Sequence, residues 1–331
     1  MVQAWFAYCG RCKIEEYQMN AMVSVVIPTT AELNRSEWIA RAIDSVTSQS
    51  NSNIEIIVAI NGGKVDEGLV SQIAKRTSVQ LLRLQKRGLK NAIVEGWRVA
   101  SGEFVCFLDD DDELLAHSIE KRVEALKQNT NASAAFTDGY FKSEGKIVRP
   151  IINRQEFDQN DLFGSLLNKN WNASCASLFR KSSVSHDLFE NDYRYSHYGT
   201  DRWLPPNIQD FGFSWTFASA KLVLQHKVVF VDKPCYLINS RPNTTSASLG
   251  AHLRTIAVLN AIRSLNPHKK YRSKIRKNLS RSHHSASCKW NSMGLRKLAF
   301  QHHWYSLISS LGGLRYLPYF RHLLRTTNDD A

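Results

Sequence analysis

The chain has 331 residues, 43% of them apolar and 10% aromatic, which is enough to bury a full core and excludes a disordered or low-complexity chain. Its formal charge of +13 is uneven: from Arg263 to Ala331 there are 14 Lys or Arg against 2 Asp or Glu, so a near-neutral body precedes a basic tail. Six scattered cysteines make no disulfide framework, the single Cys9/Cys12 CxxC lacks the second pair of a structural zinc site, and no run approaches the roughly 18–20 apolar residues of a membrane-spanning helix.

Residues 1–21 show no clear period and form an N-terminal extension; the fold is expected to begin near Met22. Met22 to Pro28 is an apolar strand stopped by proline. The next helix carries Trp38, Ile39, Ala42, Ile43 and Val46 on one face. Ile54 to Ile60 is a second continuous apolar strand, ending in Asn61-Gly62-Gly63. Asp66 to Arg76 follows as a helix, Val79 to Leu84 as a third strand and Leu89 to Ala100 as a helix. Phe104 to Leu108 is a fourth apolar strand, with Cys106 in its core, and it delivers Asp109, Asp110, Asp111, Asp112 and Glu113 at its end. Ile119, Val123 and Leu126 then mark a helix, and Ala134 to Phe141 a strand interrupted by Asp138-Gly139. From about Lys142 the pattern is irregular and aromatic, suiting an acceptor-side region, until Val228 to Val231 forms a short strand ended by Asp232-Lys233-Pro234.

Strands that are apolar throughout and alternate with helices predict a parallel sheet covered on both faces. Such sheets bind ligands at the carboxyl ends of their strands. Pro28-Thr29, Asn61-Gly62-Gly63 and the four aspartates all fall at such ends, so they are expected to converge. Adjacent carboxylates repel one another, and a hard divalent cation with oxygen ligands relieves that repulsion. The plainer alternative is an acidic turn capping the following helix. No P-loop and no GxGxxG is present.

The order of these features resembles the family 2 glycosyltransferases, whose catalytic domain has the GT-A fold. Pro28-Thr29 and Asn34-Arg35 match the family's opening. Gly88, Lys90-Asn91 and Ala100-Ser101-Gly102-Glu103 match the block before the metal strand, followed by Phe107-Leu108 and the aspartates. Asn61-Gly62-Gly63-Lys64 and Asp66 stand where the family has Asp-Asp-Gly-Ser and a further Asp. The resemblance spans about residues 22–245. It implies a GT-A catalytic domain over 22–245, with a nucleotide-sugar half (22–141) and an acceptor half (142–245), and a basic helical region over 246–331.

It also implies an inverting, metal-dependent sugar transfer from a nucleotide donor to a saccharide or lipid-linked glycan in cell-surface polysaccharide synthesis. Pro28, Thr29, Asn34, Arg35, Asn61, Lys90, Asn91, Asp109 and Asp110 are the implied donor-binding residues. Asp111 and Asp109 are the implied ligands of Mn²⁺ or Mg²⁺, while Asp112 and Glu113 are expected to cap the next helix. By the same resemblance Gln209-Asp210-Phe211 offers Asp210 as the general base, with Asp201 as its competitor. Trp203 and Trp215 suit core packing better than a sugar platform. A sugar nucleotidyltransferase would want a glycine-rich basic loop after the first strand, where Pro28-Thr29-Thr30-Ala31 stands; a degenerate non-catalytic nucleotide-binding or membrane-adaptor protein is the non-enzymatic alternative.

In the tail, Lys269-Lys270, Lys274, Arg276-Lys277 and Arg281 cluster. Leu295, Leu298, Ala299, Trp304, Leu307, Ile308 and Leu311 then suggest an imperfect apolar helical face, and Leu314 to Arg325 mixes aromatics with arginines. Such segments suit an anionic membrane surface, and no nucleic-acid-binding motif accompanies them. With no signal-peptide pattern at the start, the expected setting is cytoplasmic, peripheral to the inner membrane face.

Overall fold

A computed structural model describes residues 21–50, 53–190, 213–239, 249–319 and 323. These fall into two compact units. The first holds the described parts of Met1–Ser165, Lys169–Asn191 and Leu222–Arg241; the second holds those of Leu166–Asn168, Asp192–Lys221 and Pro242–Ala331.

The first unit follows the expected alternation: β1 (Val23–Thr29), α1 (Ser36–Thr47), β2 (Ile54–Ile60), α2 (Glu67–Ala74), β3 (Val79–Arg83), α3 (Leu89–Val99) and β4 (Phe104–Phe107). β3, β2, β1 and β4 lie side by side and parallel. All seven residues of β1 are buried, as a strand covered on both faces must be. Each fully buried Val or Ile there contributes roughly 1.5–3 kcal/mol. α1 turns Ile39, Ala42, Ile43 and Val46 of the predicted stripe inward, while Trp38 is only half-buried. Asp66 caps α2 by accepting from the Leu69 amide at 2.7 Å.

Beyond β4 the sheet changes direction. β5 (Glu113–Leu114), α4 (Ser118–Gln128), β6 (Ala134–Ser143), β7 (Lys146–Pro150), α5 (Leu162–Asn168), β8 (Ser177–Arg180), α6 (Trp215–Gln225) and β9 (Val228–Asn239) follow in the chain. The sheet order is β3-β2-β1-β4-β8-β6-β9-β5, with β7 on β6; β8 is antiparallel to both β4 and β6. The interruption expected at Asp138-Gly139 is a shift of register within one continuous strand. A Cβ on Gly139 would lie 2.5 Å from the Tyr236 ring, so glycine makes room for that ring, while Asp138 accepts from the Gly139 and Ile152 amides.

β9 corrects the short strand expected at Val228–Val231. It runs through Asp232-Lys233-Pro234 to Asn239, because the register shift opposite Asp138 absorbs the proline without breaking the pairing.

Gly102 is required by contact: a Cβ there would lie 2.6 Å from the Ser24 amide nitrogen and 2.8 Å from the Phe104 carbonyl oxygen. Its own amide donates to the Ser24 hydroxyl at 2.8 Å. Trp97, Phe179 and Phe189 pack around Phe107, the last residue of β4, with ring centroids 5.1–6.3 Å apart.

In the second unit, α7 (Leu249–Ser264) packs on α8 (Arg272–Ser292), and α8 on α9 (Arg296–Ser309), which a 3-10 turn, Leu311–Tyr316, follows. Among the described residues no helix is long and apolar enough to cross a membrane.

Candidate functional site

The candidate site is built where β1, β2 and β4 end. Thr29 closes β1, and its carbonyl accepts from the Asn61 amide just beyond β2 at 2.9 Å. Its hydroxyl donates to Asp110 at 2.5 Å and accepts from the Ala31 amide at 3.0 Å. Arg35, in the 3-10 turn Leu33–Arg35, donates to the other oxygen of Asp110. Asp110 is 4% exposed and is thus pinned by a hydroxyl and a guanidinium, which offset the cost of burying its charge. Burial pushes its carboxyl up while Thr29 and Arg35 pull it down.

The other three aspartates face one another. One carboxylate oxygen from each of Asp109, Asp111 and Asp112 lies within 4.8 Å of the others. The chain makes a tight turn there, the Asp112 amide donating to the Asp109 carbonyl at 3.0 Å. Burial, then the charge of Asp111, lifts the Asp109 carboxyl to about 7, against the pull of the Ser174 hydroxyl. Burial, then Asp109 and Asp111, lifts Asp112 well above the ordinary carboxylate range. Three carboxylates in mutual repulsion and partly out of water form a hard-oxygen donor set that a divalent cation fits.

The expected roles of Asp112 and Glu113 as helix caps are corrected. No helix begins there; α4 starts at Ser118 after His117, which takes a left-handed conformation at φ 60°. Asp112 instead accepts from the Asn239 amide at 3.1 Å and joins the acidic trio. Glu113 lies in β5 and pairs with Lys142 at 3.3 Å. Asn239 binds the loop twice more, donating from Nδ2 to the Asp111 carbonyl at 2.6 Å and to Glu113 at 3.2 Å. The end of β9 therefore fixes the loop that follows β4, a link 128 residues apart in the chain.

A second support lies beneath. Arg122 of α4 is fully buried and donates to the Ser118 carbonyl and hydroxyl and to the Cys175 carbonyl at 3.0 Å, which holds the segment carrying Ser174. The Asn61 side-chain oxygen and the Thr30 hydroxyl are both buried without a hydrogen-bond partner among the described residues. Leaving such atoms unsatisfied costs about 1–3 kcal/mol each, so they are groups for a ligand to satisfy.

Of the residues singled out in the sequence, Pro28, Thr29, Arg35, Asn61, Asp109, Asp110 and Asp111 gather at these strand ends. Asn34 is exposed on the 3-10 turn. Lys90 and Asn91 lie in the first turn of α3, where Asn91 donates to the Arg87 carbonyl at 3.2 Å. Asp201, Asp210 and Trp203 lie outside the described residues, as do Cys9 and Cys12. Trp215 opens α6, half-buried and edge-on to Phe213 with centroids 4.8 Å apart. Cys106 is fully buried, as expected of a core residue. Asn239 and Arg122 carry no local sequence signal for their roles.

The pattern described as Glycosyl transferase family 2 matches residues 24–188. A GalNAc(5)-diNAcBac-PP-undecaprenol beta-1,3-glucosyltransferase from Campylobacter jejuni is 28% identical over 191 residues, 56% of this chain and 59% of that protein. An uncharacterised glycosyltransferase from Haemophilus influenzae is 29% identical over 111 residues, 33% of this chain and 36% of that one. The chain thus spans less than two thirds of the length of these relatives. A crystal structure of S. aureus TarS 1-349 in complex with UDP-GlcNAc superimposes with a TM-score of 0.54 at 14% identity, covering 91% of this chain and 92% of that one, which is a likeness of fold.

Proposed function

Because the chain belongs to glycosyl transferase family 2 and has its GT-A fold, we propose that it transfers a sugar, with inversion, from a nucleoside diphosphate donor to a lipid-linked glycan at the cytoplasmic face of the membrane. The observation that carries this reading is the trio Asp109, Asp111 and Asp112 at the end of a central parallel strand, beside unsatisfied polar atoms of Asn61 and Thr30. The lipid-linked acceptor rests on the Campylobacter jejuni relative, whose name specifies an undecaprenol-linked glycan.

These three carboxylates would hold Mn²⁺ or Mg²⁺, which supplies charge neutralisation for a diphosphate leaving group. The protein's own part is positional. Asp110, clamped by Thr29 and Arg35, fixes the loop from one side, and Asn239 fixes it from the other. Asn61 and Thr30 offer polar atoms to the donor. Asp210 takes the proton of the acceptor hydroxyl, with Asp201 as the alternative base.

The test incubates the protein and Mn²⁺ with a panel of sugar nucleotides and polyprenyl-diphosphate-linked glycans, measuring nucleoside diphosphate release and glycan mass. Transfer that Asp111→Asn abolishes and that Asp210→Asn or Asp201→Asn reduces by at least about a hundredfold supports the reading. Absence of turnover with every pair, or full activity of Asp111→Asn, overturns it.

A further inference from the structure

Helix α9 is amphipathic in the wrong sense for a helix facing water. Its inward face carries Leu298 and Ala299 but also His302, His303 and Ser306, all buried. Its outward face carries Phe300, Trp304 and Ile308, one turn apart and 40%, 51% and 60% exposed. A surface helix ordinarily does the reverse. The apolar face expected from the sequence is therefore split: Leu298 and Ala299 turn in, whereas Trp304 and Ile308 turn out.

The inward face works with polar and small residues. The Ser280 hydroxyl of α8 donates to the Ser306 carbonyl at 2.6 Å, and the Ser287 hydroxyl to the Ala299 carbonyl at 2.6 Å. His283 and His302 bring their Nδ1 atoms within 3.1 Å. Helices joined by small residues and hydroxyl-to-carbonyl bonds need little apolar surface between them, a way of packing frequent where the surroundings are lipid.

The outward face is not isolated. Of the twelve large hydrophobic side chains exposed among the described residues, seven lie between Met293 and Leu317, so exposure concentrates on this one segment. Large apolar side chains exposed at successive turns of one helix face, as Phe300, Trp304 and Ile308 are, mark an interaction site. Its charge identifies the partner. From Lys233 to Asn328 the sequence contains no Asp or Glu, and Arg296 and Lys297 sit a turn before Phe300, with Arg315 exposed beyond the helix. A second copy would bring like charge against like charge. An anionic surface with an apolar interior matches both properties.

We propose that the α9 face formed by Phe300, Trp304 and Ile308, flanked by Arg296, Lys297 and Arg315, docks the protein on an anionic lipid bilayer, with the aromatic stripe seated at the headgroup–acyl boundary. This inference stands on the helical unit alone and does not depend on the donor chemistry, so vesicle binding and sugar transfer succeed or fail independently.

The full chain is floated with phosphatidylcholine vesicles with and without phosphatidylglycerol. The expected result is binding to the anionic vesicles that weakens with salt. Trp304→Ser combined with Ile308→Ser lowers partition by at least about tenfold, and Lys297→Gln by about fivefold. Trp304→Phe retains binding, and circular dichroism of every variant matches the parent. Failure of the parent chain to float, unchanged flotation of the double variant, or a stable dimer that Trp304→Ser dissociates overturns the proposal.

Discussion

Asp109→Asn tests the acidic trio through stability instead of turnover. In the folded chain the Asp109 carboxyl is lifted to about 7 from an ordinary 3.8, chiefly by burial and then by Asp111. A carboxyl raised on folding binds its proton more tightly in the native state. Its stabilising contribution is complete below about pH 4 and is lost as pH rises through about 7. The full difference, about three pH units, corresponds to at most about 4 kcal/mol, and sharing of charge with Asp112 makes the realised part smaller.

Asparagine carries no charge at any pH. In EDTA, therefore, the variant should melt close to the parent near pH 4 and several degrees above it near pH 7.5. Added Mn²⁺ should raise the parent at pH 7.5 and leave the variant nearly unmoved. Differential scanning fluorimetry of both proteins across this range reads the difference directly, so other titrations common to both cancel. A difference that is flat with pH, one of opposite sign, or equal Mn²⁺ shifts in the two proteins would refute the reasoning.

The histidines of the helical unit should act in the other direction. Burial lowers His283 to about 3 and His302 and His303 to about 4, so the native state resists their protonation; the stability they confer is complete above about pH 6.5 and lost as pH falls towards 4. Ellipticity at the helical band during acid titration should show this loss, and His283→Gln should make it shallower. Arg35→Ala leaves Asp110 buried without its guanidinium and should cost about 2–3 kcal/mol in urea unfolding, while adding Asp110→Asn should restore about half; additive losses would count against the pair. Gly102→Ala should cost about 2–3 kcal/mol, because the new Cβ meets the backbone of β1 and β4; a loss below about 0.5 kcal/mol would show that this contact relaxes.

The first four strands and the helices between them were legible in the chain because their signals are local. Continuous apolar runs require strands buried on both faces, and the stripe from Ile39 to Val46 requires one buried helical face. The carboxylates were legible as a group for the same reason: they end a buried strand. Their division of labour was not. Asp112 is set beside Asp109 and Asp111 by Asn239, and Asp110 is drawn aside by Thr29 and Arg35, partners that come from three other elements.

The sequence by itself thus determined the alternating fold, the place of the acidic loop and the charge asymmetry, all of which follow from neighbours in the chain. Tertiary structure alone decided which aspartates meet, that β9 continues past Pro234, and that α9 turns its histidines inward and its tryptophan outward. Periodicity marks which residues share a face of a helix; the partner packed against one face decides which face is buried. On α9 that partner is α8, whose serines and His283 receive the polar side and leave the aromatic side exposed.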